Sequence, residues 1–416
     1  MVKVKFSIVI PVRNGAATIQ STITSCLNQT FEDYEIIVQD NASTDLTTEI
    51  VKSFDSKKIK LFSNHEALYI TENWNLALAN ASGDYVIFLG ADDAIRSDSL
   101  RKIAVILEET STHSVTWSQA CYTWPNFGIE FESNRLSIPP ISKIYSFKDI
   151  AEHDDELKAG KIPTFPSIYY GCISRELINR SMKNGPLFDG RCPDIYSAIL
   201  LSFFSDKYIR IEDPLTITGL SAQSSVTAQI SDVSKAEDVR KDLCNLLEKS
   251  RVKRSMNIPE IDLACIWVLE SLQLVALTLK LDLDGFNLTA NRISELIKEE
   301  ILEQGGINSK QSVVLIDWLN SNKIYLDYEP LKKNDLDARM FNFFPKGPRE
   351  QIIGRFFLVD TIPLGVVDSN SAAHLIDKME ALDPLFIMSH NQLVSRTNEY
   401  ERLLSELKSK VKHLKI

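Results

Sequence analysis

Five apolar residues, Tyr85 to Leu89, run unbroken into Gly90-Ala91 and then into two adjacent carboxylates, Asp92 and Asp93. An apolar run of this length reads as a strand covered on both faces, as found within a mostly parallel sheet. Open α/β sheets bind ligands beyond the carboxyl ends of their strands, and the Asp pair falls at such an end. Neighbouring carboxylates repel each other unless a cation or several donors hold them. Adjacent oxygen ligands of this sort suit Mg²⁺ or Mn²⁺ carrying substrate phosphates. A solvated turn whose Asp residues cap the next helix has the same local sequence, so the reading depends on the chain upstream.

That upstream chain alternates strand and helix. Phe6-Ser-Ile-Val-Ile10 is a buried-strand run followed by the loop Pro11-Val-Arg-Asn-Gly15. Ile19, Ile23, Cys26 and Leu27 then fall on one helical face. Tyr34-Glu-Ile-Ile-Val38 predicts a second strand that runs into Gln39-Asp-Asn-Ala-Ser-Thr-Asp45. Ser43 or Thr44 is placed to cap a helix whose apolar face carries Leu46, Ile50 and Val51. Lys58 to Phe62 predicts a short third strand, and Asn73 to Ala79 a helix before the Ser82-Gly83-Asp84 turn. Alternation of this kind implies a parallel sheet with helices on both faces. It gathers Pro11–Gly15, Asp40–Asp45 and Gly90–Ala94 at one edge.

Composition removes some classes of function. The 416 residues suffice for two or three domains, and 44% hydrophobic with 25% charged content is ordinary for a soluble globular chain. A net charge of −10 argues against nucleic-acid binding. Six cysteines without a C-x-x-C pair predict reduced thiols, and Val4–Ile10 lacks the pattern of a signal peptide, so a cytoplasmic setting is expected. Leu263 to Leu281 is interrupted by Glu270, Gln273 and Lys280, which predicts a buried helix rather than a membrane span.

Taken together, Phe6-Ser-Ile-Val-Ile-Pro-Val-Arg-Asn-Gly15, Val38-Gln-Asp-Asn-Ala-Ser-Thr-Asp45 and Gly83-Asp-Tyr-Val-Ile-Phe-Leu-Gly-Ala-Asp-Asp93 resemble family 2 glycosyltransferases of the GT-A fold. The resemblance covers about the first 225 residues and is strongest over the first 100. It implies inverting transfer of a sugar from a nucleotide diphosphate donor, UDP-linked by preference, to an acceptor hydroxyl of a growing glycan. It also implies that Pro11, Arg13, Asn14 and Asp40 line the nucleoside pocket, with Asp40 facing the base. Asn73 or Asn75, flanking Trp74, would support the donor loop. Asp92 and Asp93 would take the metal-and-ribose motif, with Mn²⁺ or Mg²⁺ as the cation. The family often reads Asp-x-Asp-Asp here. This chain has Gly90 at the first position, which leaves open which carboxylate meets the metal and which meets ribose or sugar.

An attacking hydroxyl needs a general base, expected from the second half of the sheet. Asp194, in Gly190-Arg-Cys-Pro-Asp-Ile-Tyr196, is the candidate by the family's pattern, and simple capping of the helix Ile195 to Phe204 is the structural alternative. His65-Glu66 and His153-Asp154-Asp155 are expected to be solvated surface. Lys161 to Gly171, leading into a strand from Ser167 to Ser174, would form the acceptor wall. Relatives often carry a His or Arg near Thr216–Ser225 to hold the diphosphate. This chain has neither, so Ser224, Ser225 or Arg191 is the substitute.

Beyond residue 230 the composition turns to Lys, Glu and Leu, and helices are expected over 234–250, 257–281 and 289–304. The predicted organisation is a GT-A domain over 1–228, a mainly helical module over 229–390, and an amphipathic helix over 391–416. Leu393, Thr397, Tyr400, Leu404, Leu407, Val411 and Leu414 form a heptad seam that could pair two copies. Phe341–Arg349 and Arg355–Leu358 mix aromatic and basic residues, which fits either peripheral contact with a membrane near a lipid-linked acceptor or, preferred, packing of a loop onto the helices. Two competing functions stand beside the transferase. One is a non-catalytic sugar-nucleotide-binding or scaffolding subunit; the other is a nucleotidyltransferase, which Pro11–Gly15 disfavours because it is not a Gly-rich, basic loop.

Overall fold

The computed structural model describes residues 4–127, 134–139, 145–149, 165–205, 207–224, 237–252, 264–281, 310–321, 351–353, 356–361 and 365–382. Strands β1 (Phe6–Val12), β2 (Tyr34–Asp40), β3 (Ile59–Ser63) and β4 (Tyr85–Phe88) form a parallel quartet in the order β4-β1-β2-β3. Val12 pairs with Asp40 and Asp40 with Ser63, so the loops after β1, β2 and β3 leave from one edge. Alternate residues of β1 point to opposite faces, as strand geometry requires. Ile8 and Ile10 join a core with Ile19, Ile23, Val38, Leu100 and Ile103. Val9 joins Ile37, Trp74, Phe88, Leu177 and Leu200 on the other face. Both faces are dry, which is why these strands read as continuous apolar runs.

The rest of the sheet is mixed. Strand β9 (Gly171–Ser174) runs antiparallel to both β4 and β6 (Ser114–Thr123). The long β10 (Lys207–Leu220) lies parallel to β6, with irregular register around Pro214, and antiparallel to β5 (Ala94–Ile95) and β8 (Tyr145–Asp149). Strand β7 (Arg135–Ile138) continues the sheet from β6. This arrangement is GT-A-like, with the antiparallel strands as the part that strand–helix alternation alone did not predict.

Helices α1 (Ile19–Leu27), α2 (Thr47–Ser53), α3 (Ile70–Asn80) and α4 (Ser99–Thr110) come from the alternating part of the chain. They are followed by α5 (Arg175–Ser181), α6 (Pro193–Ser202), α7 (Glu237–Lys249), α8 (Ala264–Leu279), α9 (Lys310–Ser321) and α10 (Ser369–Leu382). Helix α8 buries Val268, Leu272, Leu274 and Val275 in the α6 side of the core. No described helix is long and apolar enough to cross a membrane.

Local expectations at α2 need correction. Neither Ser43 nor Thr44 caps it, because both are engaged by Asn14: the Asn14 N–H donates to Ser43 Oγ at 2.9 Å and the Thr44 N–H to Asn14 Oδ1 at 2.8 Å. Asp45 meets the first turn instead, accepting from the Thr47 N–H at 3.0 Å. Leu46 is left before the helix and 65% exposed.

The second half of the chain does not stay apart. Strands β11 (Gln351–Ile353) and β12 (Phe356–Asp360) add to the sheet, with β12 antiparallel to β7 and Phe357 opposite Ile138. Helix α10 follows and packs Ala372, Ala373, Leu375 and Ile376 against Tyr122, Trp124, Leu136 and Ile217. A boundary at residue 228 therefore separates strands of one sheet. Phe356 to Leu358 lie in a paired strand rather than in the loop expected for them. Residues 341–349 and the 391–416 seam lie outside the described residues, as do His153–Asp155.

Candidate functional site

The edge formed by the loops after β1, β2 and β4 brings together Pro11, Arg13, Asn14, Asp40 and Asp92. Asp40 ends β2, 1% exposed; its Oδ2 accepts from the Ser43 N–H at 3.3 Å, and its Oδ1 has no hydrogen-bond partner. An orphaned buried carboxylate oxygen is costly and marks a place where a ligand donor fits. A string of amides fixes the surrounding loop. Asn80 donates to Gln39 at 2.8 Å, Gln39 to Asn64 at 2.8 Å, and Asn64 to both Asn41 and Asn73 at 2.9 Å. Asn41 then holds Leu68 through its N–H at 2.9 Å and its carbonyl at 2.7 Å. Asn73 is thereby tied to this loop through Asn64, whereas Asn75 donates to the Phe188 carbonyl at 2.8 Å. His65 and Glu66 on the same loop are exposed.

Arg13 braces the rim. Its Nη1 donates to the Asn41 and Ala42 carbonyls at 2.9 and 2.8 Å, and its Nε to Asp242 of α7 at 2.7 Å. Asn14 takes a left-handed conformation (φ 52°), so its side chain reaches across to Thr44. Pro11 is partly exposed beside them, paired in register with Gln39.

The two carboxylates of the opening motif have different surroundings. Asp93 is 1% exposed, and both its oxygens are engaged. Oδ2 accepts from the Gly90 N–H at 2.8 Å and Tyr169 Oη at 3.0 Å, while Oδ1 accepts from the Gly219 N–H at 2.8 Å. Its carbonyl accepts from Thr22 Oγ1 at 2.8 Å and from Ser369 Oγ of α10 at 3.1 Å. Asp92 is partly exposed and accepts from Ser221 Oγ at 2.7 Å, with Trp124 Nε1 on its carbonyl at 3.0 Å. A Cβ at Gly219 would lie 1.8 Å from that carbonyl, so only glycine lets β10 pass. Burial and the Asp93 charge push the Asp92 carboxyl above the ordinary range; burial does the same to Asp93 against the pull of its donors.

Among the described residues no three His, Cys, Asp or Glu side chains gather as a metal cage. Of the pair, Asp92 is the partly exposed carboxylate, with Oδ2 on Ser221 Oγ, and is the one that could take part in holding a cation. Asp93, both oxygens filled, acts on the loop that carries Asp92.

Asp194 lies in the first turn of α6, behind Pro193, with Cys192 at the cap position. It is partly exposed, and burial of its carboxyl raises its pKa, which favours proton acceptance. The loop before it is fastened to the start of α3: Tyr69 Oη donates to the Arg191 carbonyl at 3.0 Å and Thr71 Oγ1 to the Gly190 carbonyl at 2.8 Å. Arg191 itself is buried, its Nε 2.7 Å from Glu270 of α8, so it is tied away from a diphosphate rather than poised to swing in. Ser224 closes a turn onto the Ser221 carbonyl, and Ser225 lies outside the described residues. Sequence reasoning did not single out Trp124 or Asn64, and it named Tyr169 and Ser221 only within longer stretches, 161–171 as acceptor wall and 216–225 near the diphosphate. In the structure Tyr169 and Ser221 meet Asp93 and Asp92 instead.

Residues 7–164 match the model of Glycosyl transferase family 2. The chain is 27% identical over 228 residues to the GalNAc(5)-diNAcBac-PP-undecaprenol beta-1,3-glucosyltransferase of Campylobacter jejuni, covering 54% of this chain and 67% of that protein. It is 39% identical over 87 residues to the UDP-Glc:alpha-D-GlcNAc-diphosphoundecaprenol beta-1,3-glucosyltransferase WfgD of Escherichia coli, covering 21% of this chain and 34% of that protein. Across such curated relatives the aligned stretch spans between 32% and 67% of their own length. Among solved structures, Staphylococcus aureus TarS 1–349 in complex with UDP-GlcNAc aligns with a TM-score of 0.46 and 14% identity, covering 77% of this chain and 88% of that one. With its motifs at the ends of the strands that carry them, the chain is similar to glycosyl transferase family 2 over residues 7–164.

Proposed function

We propose that this chain transfers a sugar from a UDP-sugar to a hydroxyl of a lipid-linked glycan, with inversion at the anomeric carbon. The observation that carries the reading is the unpartnered Asp40 Oδ1, buried at the strand edge that also presents Asp92. The imide N–H of a uracil base supplies the donor this oxygen lacks. The names of the two glucosyltransferase relatives, both acting on undecaprenol-diphosphate glycans, support a lipid-linked acceptor. Such an acceptor would bring the protein to the inner face of a membrane.

In this reading the acceptor hydroxyl attacks the anomeric carbon as the bond to the diphosphate breaks. Asp194 takes the hydroxyl proton, a task suited to a carboxylate whose pKa burial has raised. Asp92 would hold Mn²⁺ or Mg²⁺, and such a cation would offset the negative charge on the leaving diphosphate. Asp93 keeps the Asp92 loop in place, and Arg13 keeps the 41–42 turn against the nucleoside.

The test is calorimetry with UDP in Mn²⁺ or in chelator, beside a transfer screen of nucleotide sugars onto polyprenyl-diphosphate glycans. Wild type should bind UDP with the metal, and chelator or Asp92→Asn should weaken binding by about tenfold or more. Equal binding in chelator would remove the metal from the scheme. UDP binding without transfer to any lipid-linked acceptor would favour a non-catalytic subunit.

A further inference from the structure

Residue 90 is where this chain departs from the Asp-x-Asp-Asp pattern, and the space around it is already filled. A Cβ at Gly90 would lie 2.7 Å from Tyr169 Oη, 2.7 Å from Asp93 Oδ2 and 3.0 Å from Asp93 Cγ. What occupies that space is a hydrogen bond, Tyr169 Oη donating to Asp93 Oδ2 at 3.0 Å, with the Gly90 N–H on the same oxygen at 2.8 Å. The phenol cannot easily retreat. Its ring centroid is 4.0 Å from that of Tyr170 and 5.4 Å from that of Trp74. Its main chain bridges to Phe88, whose N–H also donates to the Ile168 carbonyl at 2.8 Å. The main chain of the tyrosine is therefore fixed to β4, and its hydroxyl to the Gly90–Asp93 turn that β4 delivers.

We infer that Tyr169 is a positioning residue for the donor edge, and that Gly90 and Tyr169 work as a pair. The phenol stands where a side chain at residue 90 would need to be, and it holds Asp93 so that Asp92 alone turns toward the donor. A neutral donor thus takes the space of the family's third carboxylate, and the loop carries one negative charge fewer. The inference rests on the donor reading proposed above. It adds a residue 76 positions from Asp93 in sequence, joined to it only by the sheet.

A double-mutant cycle tests it. Wild type, Tyr169→Phe, Gly90→Ala and the double variant are titrated with UDP in Mn²⁺ by calorimetry and melted in parallel. Tyr169→Phe should loosen UDP by about tenfold, the effect of a lost hydrogen bond to a charged group, with a melting temperature near that of wild type. Gly90→Ala should loosen it at least as much, since alanine displaces Asp93. In the double variant, with the hydroxyl gone and Asp93 free to move aside, alanine should cost little more. The combined loss then falls well short of the product of the two single losses. Independent, multiplying losses overturn the pairing. A Tyr169→Phe protein that melts lower but binds UDP as wild type does marks a merely structural tyrosine and overturns the positioning role. Should Gly90→Ala fail to fold, the affinity of Tyr169→Phe decides alone. Wild type that binds no UDP fails the donor reading, and the positioning role falls with it. Wild-type binding with multiplying losses removes only the inference.

Discussion

Asp194 combines two pressures that normally conflict. It occupies a helix first turn, where a negative charge is favoured, yet burial of its carboxyl makes ionisation costly and raises its pKa. A raised carboxyl pKa subtracts stability once the pH exceeds the unfolded value of about 4, because the folded state must give up a proton it holds more tightly. Asp194→Asn should therefore melt at or slightly above wild type at neutral pH while transfer falls by about 10²–10⁴, with UDP binding retained. Parallel melting, calorimetry and transfer assays check it; unimpaired transfer would assign the base elsewhere. Glu35 shows the opposite sign. Burial works to raise its pKa, but Lys60, Ser7 and Ser82 outweigh it and hold it at about 2. Lys60 Nζ, Ser7 Oγ and the Ser82 N–H each donate to it at 2.7 Å. Its contribution is present above the unfolded value of about 4.3 and is lost as the pH falls toward the folded one. Glu35→Gln should cost about 2 kcal/mol at pH 7, and the gap from wild type should close between the two values when guanidinium unfolding is followed down the pH scale. At this scale the sequence singled out Asp40, Asp92 and Asp194 as candidates, because each sits in or beside a recognisable strand-end or helix-start pattern. The contacts of Ser221 and Tyr169 with Asp92 and Asp93 were not legible, because they form only once strand pairing brings these residues to that loop.

Helix α10 is joined to the sheet by charge as well as by apolar packing. Arg96, 1% exposed, donates to Asp213 and Asp377 at 2.7 Å each and also to Glu380, while Lys102 reaches Asp213 at 2.6 Å. A buried pair is weak evidence of net stability, but removing one partner leaves an uncompensated charge behind. Arg96→Met should thus destabilise by about 3–5 kcal/mol, read as a shift in the denaturant midpoint. Replacing Asp377 alone, which leaves Asp213 and Glu380 on Arg96, should cost less. The local pattern made β1 to β4 and the first helices legible, since periodicity and turn residues act within a few positions. It was silent about β12 and α10. Beyond its local hairpin with β11, β12 joins the sheet by pairing Phe357 to Asp360 with Arg135 to Ile138, a partner more than 200 positions away and invisible to any local period.

For the molecule as a whole, the sheet runs from β11 at one margin to β3 at the other, so its first and last strands in space come from opposite ends of the described chain. A fragment ending at residue 228 would lack β11, β12 and α10, and would expose Tyr122, Trp124, Leu136 and Ile138. It should express as an aggregating or partly folded species, with weak near-ultraviolet circular dichroism and a broad thermal transition, whereas the full chain should unfold cooperatively. A fragment that melts sharply and binds UDP like the whole protein would show that residues 351–382 are dispensable.

The link from Ser369 to the Asp93 carbonyl also sets a schedule for biosynthesis. A ribosome that has made β10 must still add roughly 150 residues before Ser369 exists, which at ordinary elongation rates takes on the order of ten seconds. Throughout that interval Arg96 waits without Asp377 and Glu380, and the Asp93 carbonyl has Thr22 Oγ1 but not yet Ser369 Oγ. The nascent chain therefore passes through a stage in which its motifs have been translated but its donor edge is unfinished. Premature stop codons after the last recognisable motif should be as damaging as those before it, and chaperone dependence should be greatest while this tail is still being made.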